Sequence, residues 1–418
     1  MNRRRAPKPK PARRETLTAR ELGARGDAVC EGPVYVPGLL PGETAELEIR
    51  GERGRILNRL GSAPERTQAF CPVAEVCGGC SLQHFEETAY QAWKRGLAQT
   101  ALERAGIDAP LAPLVDAHGA GRRRVTFHAQ TFGAKFVFGF AQRAGDKLVD
   151  ISACPVGLSP QFDDLTALRE LARAAAPRKG RLDMAIAALE PGLDISIKNS
   201  GGISLELREL VAARAAKSGW ARVTIDHEPV IEIAPPMVKF GTAMVTPPPG
   251  GFLQATAAGE AALAAVVEAA APEARSVIDL YAGSGAFALR LARTAHVLAV
   301  EGEAEPLHAL KRAAERTPGL KPVDARVRDL ALEPLGPKEL EGADLVVLDP
   351  PRSGARAQCD RLSDSQVPTI VSISCNPATF ARDAAILIEG GYRIDGPVLP
   401  VDQFKWTGHL ELAAVFRR

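Results

Sequence analysis

The chain has 418 residues, of which 46% are hydrophobic and 24% are charged, a composition that excludes a wholly disordered or collagen-like protein. At roughly 150 residues per domain, this length predicts about three domains. The formal net charge is only +2, and the sequence has neither a secretory leader pattern nor an apolar run of about 18 residues. These features predict a cytoplasmic protein that does not cross a membrane.

The N-terminus is strongly basic, since its first 14 residues carry seven Arg or Lys side chains and no acid. Interrupted by prolines, residues 1–19 predict a disordered tail that is either simply solvated or binds nucleic-acid phosphates. Residues 20–62 contain several short alternating segments separated by turns. Such closely spaced strands predict a small β-barrel, which is a plausible RNA-binding module.

The cysteines are too few and too unevenly spaced for a disulfide framework. Cys71, Cys77 and Cys80 lie together in CPVAEVCGGC, where two glycines allow a tight turn, and Cys154 is the best candidate for a fourth ligand. Four thiolates can hold zinc or an iron-sulfur cluster. Three grouped cysteines and one remote cysteine favour the cluster over zinc.

The middle of the chain mixes helical and strand patterns. The predicted elements are a helix over 86–105, a hairpin over 122–150, a helix over 161–175, and strands from 183 to about 238, including ISLEL at 203–207. Arg122, Arg123 and Arg124 at the base of the hairpin are either phosphate contacts or an exposed, solvated turn. The segment VTPPPGGF at 245–252 cannot continue a helix or strand, so we expect a domain boundary there.

After residue 250, apolar strands alternate with helices, as in a mostly parallel sheet covered on both faces. The segment DLYAGSGAF supplies a strand, Gly283-x-Gly285 and a helix, and Glu301 closes the next strand. This pattern is typical of a doubly wound nucleotide-binding fold. Asp279 before the loop suits a cationic ligand, which favours S-adenosylmethionine over a nicotinamide dinucleotide.

Two further strand ends carry reactive groups. Asp349 opens the sequence DPPR after one apolar strand, and the residue after the two prolines is Arg352, where amino-methylating enzymes have an aromatic residue. Cys375 follows the next strand and precedes a helix whose N-terminus should lower the pKa of its thiol. Such a thiolate can add to C6 of a pyrimidine and thereby activate C5 toward a methyl donor.

The last strand contains a candidate general base. His409 and Glu411 are two residues apart, so a strand spanning both would place them on one face. Glu411 would then remove the C5 proton, with His409 in support. Either residue can equally be an ordinary polar residue of a strand.

Taken together, these motifs resemble the bacterial RNA uracil-5 methyltransferases, especially those that act on 23S ribosomal RNA. The matching segments are CPVAEVCGGCSLQH with Cys154, FLQ ending at Gln254, DLYAGSGAF, LDPPRSG, SCNPATFARD and HLE. Their order along residues 20–418 makes a chance likeness improbable.

The resemblance implies an α/β fold with three domains: a TRAM domain of OB-like barrel form over 20–62, a central α+β iron-sulfur domain over 63–245, and a Rossmann-like S-adenosylmethionine-dependent methyltransferase domain over 246–418. It also implies a role for each candidate residue. The cluster of four iron and four sulfur atoms would be held by Cys71, Cys77, Cys80 and Cys154; Cys375 would be the nucleophile and Glu411 the base; and the S-adenosyl-L-methionine site would be lined by Gln254, Tyr281, Glu301, Asp329 and Asp349. Asp349 also contacts the uracil in this interpretation. The protein is expected to be a monomer that binds RNA, with the target uridine flipped out of its fold.

The chain departs from the family pattern at two positions, since Thr256 and Ala286 stand where asparagine is usual, and no cofactor contact is expected from an amide there. The glycine pattern of the barrel near Gly26 is also weaker than usual. One alternative is the related transfer-RNA uracil-5 enzyme, a branch that we expect to lack both the barrel and the cysteine cluster. A second alternative is a non-catalytic iron-sulfur RNA-binding or ribosome-assembly protein, which has no need of Cys375 and Glu411.

Overall fold

The computed structural model describes residues 11–143, 145–270 and 272–418. The chain forms two compact units. The smaller unit contains residues 11–94, the described part of 141–147, and residues 406–408, and the larger unit contains the remainder. Most of the predicted basic tail, residues 1–10, lies outside the described residues.

A closed five-stranded barrel forms the first part of the smaller unit, in the order β1-β2-β3-β5-β4. Its strands are β1 (Arg13–Leu22), β2 (Ala28–Cys30), β3 (Val34–Val36), β4 (Thr44–Arg50) and β5 (Arg53–Arg59). Side chains alternate between the barrel interior and solvent along β4, as expected for a strand with one buried face. The barrel is confirmed, but its first strand begins earlier than the sequence pattern indicates, because Arg13–Thr18 pair with β4.

The predicted helix over 86–105 is confirmed as α1 (Glu87–Arg104), and the short strand β6 (Val115–Asp116) follows it. A seven-stranded sheet then forms in the larger unit, in the order β13-β12-β11-β10-β7-β8-β9. Its elements in chain order are β7 (Arg124–Phe132), β8 (Lys135–Ala141), β9 (Leu148–Asp150), α2 (Thr166–Ala175), β10 (Leu182–Ala188), β11 (Leu193–Lys198), α3 (Leu205–Ala215), β12 (Trp220–Ile225) and β13 (Glu228–Glu232). The predicted hairpin is the antiparallel pair of β7 and β8.

One central segment differs from the prediction. The residues ISLEL at 203–207 have alternating apolar side chains, but no strand forms there, because α3 begins at Leu205. Ser204 caps this helix, because its side-chain oxygen accepts a hydrogen bond of 3.2 Å from the backbone N–H of Leu207. The helix continues for 11 residues and buries Leu207, Val211 and Ala215 along one side, which the short strand interpretation overlooked.

The C-terminal part follows the pattern of alternating strands and helices. A hairpin of β14 (Val238–Phe240) and β15 (Ala243–Val245) precedes the proline-rich segment. The remaining elements are α4 (Ala257–Ala270), β16 (Ser276–Leu280), α5 (Ala288–Leu291), β17 (His296–Glu301), α6 (Ala304–Arg316), β18 (Val323–Val327), α7 (Pro337–Leu340), β19 (Leu345–Leu348), α8 (Arg356–Ser363), β20 (Thr369–Ser374), α9 (Pro377–Glu389), β21 (Arg393–Asp402) and β22 (Glu411–Arg417). Both the seven-stranded sheet and these elements belong to the larger unit.

The second sheet has eight strands in the order β18-β17-β16-β19-β20-β22-β21-β6. Strands β16 to β20 run parallel, and β22 is antiparallel to β20. Every side chain of β19 and β20 is buried, as expected for strands covered on both faces. In this sheet β16 lies between β17 on one side and β19 on the other. The strand order therefore reverses at β16, and ligands in such sheets bind in the crevice at the carboxyl ends of the two strands at that point, here β16 and β19. No helix among the described residues is long and apolar enough to span a bilayer.

Candidate active site

The loop after β16 is shaped for close approach of a ligand to its backbone. Gly283 and Gly285 have φ values of 54° and 96°, in the left-handed region that favours glycine. A Cβ atom on Gly285 would lie 2.8 Å from Leu310 Cγ, so no other residue fits there. Tyr281 also has a positive φ of 62°, which is unusual for a residue with a side chain. The loop is therefore a strained turn at the carboxyl edge of the sheet.

Glu301 lies beside this loop, as the sequence pattern indicates. Its Oε2 accepts a hydrogen bond of 3.0 Å from Gly283 N, and its Oε1 accepts one of 2.7 Å from Gly302 N. Asp329 follows the neighbouring strand β18, and its Oδ1 accepts a hydrogen bond from Ala331 N at 2.9 Å. Two carboxylates thus follow adjacent strands next to the loop.

Asp279 is a fully buried carboxyl beneath the loop. Its Oδ2 accepts a hydrogen bond of 2.9 Å from Ala288 N, and its Oδ1 has no hydrogen-bond partner among the described residues. Burial, followed by the charges of Asp349 and Glu301, raises the pKa of Asp279 to about 8. A positive charge placed near Asp279 would favour the ionised carboxylate and lower this pKa.

Replacing Asp279 with asparagine is expected to flatten the pH dependence of stability. The ordinary pKa of 3.8 is raised to about 8 in the folded protein. Between these values the unfolded chain releases the proton first, so the free energy of unfolding falls as pH rises. Thermal melts should show that Asp279→Asn loses several degrees less than the parent protein between pH 5 and pH 8. Parallel pH curves for the two proteins would contradict this assignment; Asp344→Asn, at an exposed aspartate, is the control.

The end of β19 brings Asp349 and Gln254 together. Gln254 Nε2 donates a hydrogen bond of 3.0 Å to Asp349 Oδ2. Burial raises the pKa of Asp349 to about 7, against the opposing effect of this hydrogen bond. Gln254 is 4% exposed, and Asp349 is partly buried.

Cys375 follows β20 directly and precedes α9. Asn376 caps this helix through its own side chain, whose oxygen accepts a hydrogen bond from Ala378 N at 3.1 Å. The expectation of a lowered thiol pKa is wrong for the protein alone, since the pKa of Cys375 is raised to about 11. Burial is the main cause, and the charges of Glu411 and Asp349 add to it, while Arg352 opposes them. The helix N-terminus does not outweigh a desolvated position between two carboxylates.

Glu411 is the first residue of β22 and is 3% exposed. His409 lies before the strand begins, and its ring packs against Phe404 with centroids 5.6 Å apart. The prediction that one strand face carries both residues is therefore wrong. Glu411 is instead held by Gln403, whose Nε2 donates to Glu411 Oε1 at 3.0 Å.

Gln403 is the buried site residue that the sequence analysis missed. Its Nε2 also donates to Gln254 Oε1 at 2.7 Å, which completes a chain of hydrogen bonds from Asp349 through Gln254 and Gln403 to Glu411. No periodic pattern marks a lone glutamine between two strands. Only the folded structure brings it against Gln254, 149 residues earlier in the chain.

Of the three arginines at the base of β7, Arg123 is buried, whereas Arg122 and Arg124 are partly buried. Arg123 is 8% exposed; its Nε donates to Gln254 O at 3.0 Å, and its guanidinium pairs with Glu260. Arg124 lies over the Phe252 ring, and Arg122 lies over the Phe404 ring. The prediction that Arg123 belongs to an exposed, solvated turn is therefore wrong. Because its guanidinium already pairs with Glu260, Arg123 is also unsuited to bind a phosphate. It anchors the backbone that carries Gln254.

The cysteine-rich loop is compact within the smaller unit. Cys77 and Cys80 are buried, and Gly79 N lies 3.4 Å from Cys77 Sγ in a hydrogen bond. Arg143 donates to the carbonyl oxygens of Ala74 and Cys80 at 3.0 and 2.8 Å. Cys71 is partly buried in the same unit, whereas Cys154 is buried in the larger unit. The described part of the chain contains no group of three or more His, Cys, Asp or Glu side chains arranged to hold a metal ion.

Comparison with known proteins places this geometry in a family. The chain is 42% identical over 405 residues to an RNA methyltransferase of Brucella suis, covering 96% of this chain and 97% of that protein. It is 32% identical to the 23S rRNA (uracil(1939)-C(5))-methyltransferase RlmD of Chromohalobacter salexigens, covering 96% and 89% of the two chains. The chain belongs to the RNA uracil-5 methyltransferase family. A family model described as tRNA (Uracil-5-)-methyltransferase matches residues 332–418, which include Asp349, Cys375 and Glu411.

The fold is similar to a solved structure along nearly its whole length. The tRNA (uracil-54, C5)-methyltransferase of Pyrococcus abyssi, in complex with S-adenosyl-L-homocysteine, has a TM-score of 0.76 and 22% identity, covering 96% of this chain and 99% of that one. This one transfer-RNA enzyme shares the fold over 96% of the chain, barrel included, so the expected lack of a barrel does not hold for it. The barrel does not distinguish a ribosomal from a transfer-RNA substrate.

Proposed function

We propose that this protein transfers a methyl group from S-adenosylmethionine to C5 of uracil in RNA. The observation that carries the proposal is the position of the Cys375 thiol beside the charges of Asp349 and Glu411, which are joined by the buried amides of Gln254 and Gln403. A nucleophile and two carboxyl groups thus meet at the ligand-binding edge of the sheet. A ribosome-assembly protein without catalysis would have no use for this arrangement.

The proposed chemistry begins when the Cys375 thiol loses its proton to solvent and the resulting thiolate Sγ adds to C6 of the uracil. The C5–C6 double bond is lost, and its electrons form an enolate whose C5 is nucleophilic. C5 would take the methyl group as the S–CH3 bond of the sulfonium breaks and S-adenosyl-L-homocysteine leaves, and C5 then carries both that methyl and its original hydrogen. Glu411 accepts the C5 proton, the C5–C6 double bond forms again, and the Sγ–C6 bond breaks to release the thiolate.

S-adenosylmethionine, when bound, supplies the methyl group and a positive sulfonium charge. The residues proposed to line its site are Gln254, Tyr281, Glu301, Asp329 and Asp349. Glu301 closes the second strand of the nucleotide-binding unit, where a carboxylate holds ribose hydroxyls. Any positive charge at this edge would lower the pKa of the Cys375 thiol and so favour the reactive thiolate.

The proposed substrate is 23S ribosomal RNA, which is supported by the relative from Chromohalobacter salexigens named for that RNA. Transfer RNA is the second candidate, because the matching family model and the Pyrococcus abyssi structure are both named for transfer-RNA enzymes. The target uridine would be flipped out of the RNA, as bases are for other base-modifying enzymes. The barrel and the basic tail are proposed to hold the neighbouring strand.

The function is tested by incubating the purified monomer or oligomer, as isolated, with unmodified 23S rRNA or bulk tRNA and methyl-labelled S-adenosylmethionine. We expect 5-methyluridine at a defined position in 23S rRNA. Methylation of tRNA but not of 23S rRNA would show that transfer RNA, the second candidate, is the substrate. Label on cytosine or adenine would contradict the proposed chemistry.

We also propose that Cys71, Cys77, Cys80 and Cys154 hold a four-iron four-sulfur cluster. The N–H to sulfur hydrogen bond at Cys77 supports it, because such bonds stabilise thiolate ligands of clusters. The close turn at Gly78 also supports it: a Cβ there would lie 2.7 Å from Ala141 O.

Protein purified without oxygen is expected to be brown and to contain about four iron atoms and four sulfide ions per chain. Cys80→Ser should lose most of the iron and the visible absorption, whereas Cys359→Ala, at a buried cysteine of α8, should keep both. Stoichiometric zinc without iron would contradict the cluster.

A further inference from the structure

Gln403 occupies the centre of the hydrogen-bonded chain that links the two carboxyl groups. Its side chain is 1% exposed, and its Oε1 accepts a hydrogen bond of 3.4 Å from Thr256 N. Its Nε2 donates to Gln254 Oε1 and to Glu411 Oε1. The acceptor and both donor hydrogens of this amide therefore have partners.

One backbone N–H group sets the direction of every hydrogen bond in the series that links Asp349 to Glu411. Thr256 N–H can only donate, so the atom of Gln403 that faces it must be the oxygen. The amino group then faces Gln254, which must present its own oxygen, and the Gln254 amino group must face Asp349. One backbone N–H thus determines the orientation of both amides.

The surroundings of Gln403 hold it in this place. Thr256 Oγ1 donates to Ala117 O at 2.5 Å and accepts a hydrogen bond from Gly259 N at 2.9 Å. A Cβ atom on Gly259 would lie 2.8 Å from both Gln403 Cβ and Gln403 Oε1. Only glycine therefore leaves room for the glutamine, and Thr256 fixes the peptide that binds it. Thr256, which stands where the family usually has asparagine, therefore holds the backbone N–H that binds Gln403.

We propose, on the basis of the proposed function, that Gln403 is a positioning residue that holds the Glu411 carboxylate in place for removal of the C5 proton. A hydrogen bond donated to a carboxylate favours the charged form, which is the form that a base requires. Without this donor, Glu411 would lie buried near Asp349 and the Cys375 thiol with one stabilising contact fewer. Proton removal would slow, while addition of Cys375 and methyl transfer would continue.

The test replaces Gln403 with methionine, which has similar volume and no N–H donor. Unmodified uridine RNA and S-adenosylmethionine are mixed with excess enzyme, and the reaction is quenched with denaturant at short times. Gln403→Met is expected to accumulate a denaturant-resistant protein-RNA adduct that already contains the transferred methyl. Its kcat should fall about 100-fold with KM within about threefold of the parent value, as for impairment of a general base. The parent enzyme should show no such accumulation.

Gln358→Met is the matched control, because Gln358 is also fully buried and its amide bonds the backbone of Leu335 in the same domain. Similar behaviour of the two variants would overturn the positioning role. Gln403→Glu, which keeps the acceptor for Thr256 N–H, is the second variant if the methionine variant does not fold; it too should accumulate the adduct. Failure of the parent enzyme to methylate uridine would refute the proposed function itself, which is a separate outcome.

Discussion

Cys375→Ala is expected to abolish methyl transfer to uridine, with a loss on the order of 10⁶-fold, as when a covalent nucleophile is removed from an enzyme. Alanine cannot add to C6, so C5 remains part of a conjugated ring that does not attack a methyl donor. The loss should be in kcat, because the residues that surround the cofactor loop and the flipped base remain in place. Initial rates with methyl-labelled S-adenosylmethionine measure it.

Cys359→Ala is the control for this variant. Cys359 is a fully buried cysteine of α8 in the same sheet-containing unit, and its loss should lower stability without removing activity. The parent rate should also rise with pH, since the pKa of the Cys375 thiol is raised to about 11 in the protein alone. Methyl transfer that persists in Cys375→Ala at more than a trace would exclude covalent catalysis by this residue.

Glu411→Gln is expected to reduce turnover about 10²- to 10⁴-fold, the usual contribution of a general base. The glutamine is nearly isosteric but cannot accept the C5 proton, so the reaction should stop after methyl transfer. The enzyme should therefore accumulate covalently bound RNA that carries the new methyl group. Gel electrophoresis under denaturing conditions and counting of the label in the adduct band measure this directly.

Glu339→Gln provides the comparison, because Glu339 pairs with Arg326 and Arg328 at the surface of the same unit. It should turn over at the parent rate and leave no adduct. A Glu411→Gln enzyme that loses activity without accumulating an adduct would show that Glu411 acts before methyl transfer. Full activity would show that another group removes the proton.

The parts of the fold that sequence patterns predict are those governed by local spacing. The alternation of apolar strands and helices predicts the parallel sheet, and Gly283 and Gly285 mark the loop proposed to bind the cofactor, since their backbone angles favour glycine. The carboxyl ends of the strands then bring Glu301, Asp349 and Cys375 to one edge. This much of the candidate site follows from periodicity and chemistry.

The remaining features depend on contacts between distant segments. The run of three arginines predicts that Arg123 is a phosphate contact or part of an exposed turn, yet Arg123 pairs with Glu260, 137 residues later in the chain. The pKa of Cys375 depends on burial and on carboxylates from two other strand ends, which a local helix-dipole argument cannot include. Gln403 has no periodic signal at all. Long-range packing therefore determines the electrostatics of the site, whereas local patterns determine its location.

The most direct test of the account uses RNA in which the target uridine is replaced by 5-fluorouridine. After addition of Cys375 to C6 and methyl transfer, C5 would carry fluorine and methyl but no hydrogen, so Glu411 would have no proton to remove and the enzyme would remain bound. The account predicts a stable adduct that forms only with S-adenosylmethionine present, with mass spectrometry locating the modified nucleotide on the peptide containing Cys375. An enzyme that methylates ordinary uridine but forms no adduct with the fluorinated RNA, or forms it at another residue, would contradict the account.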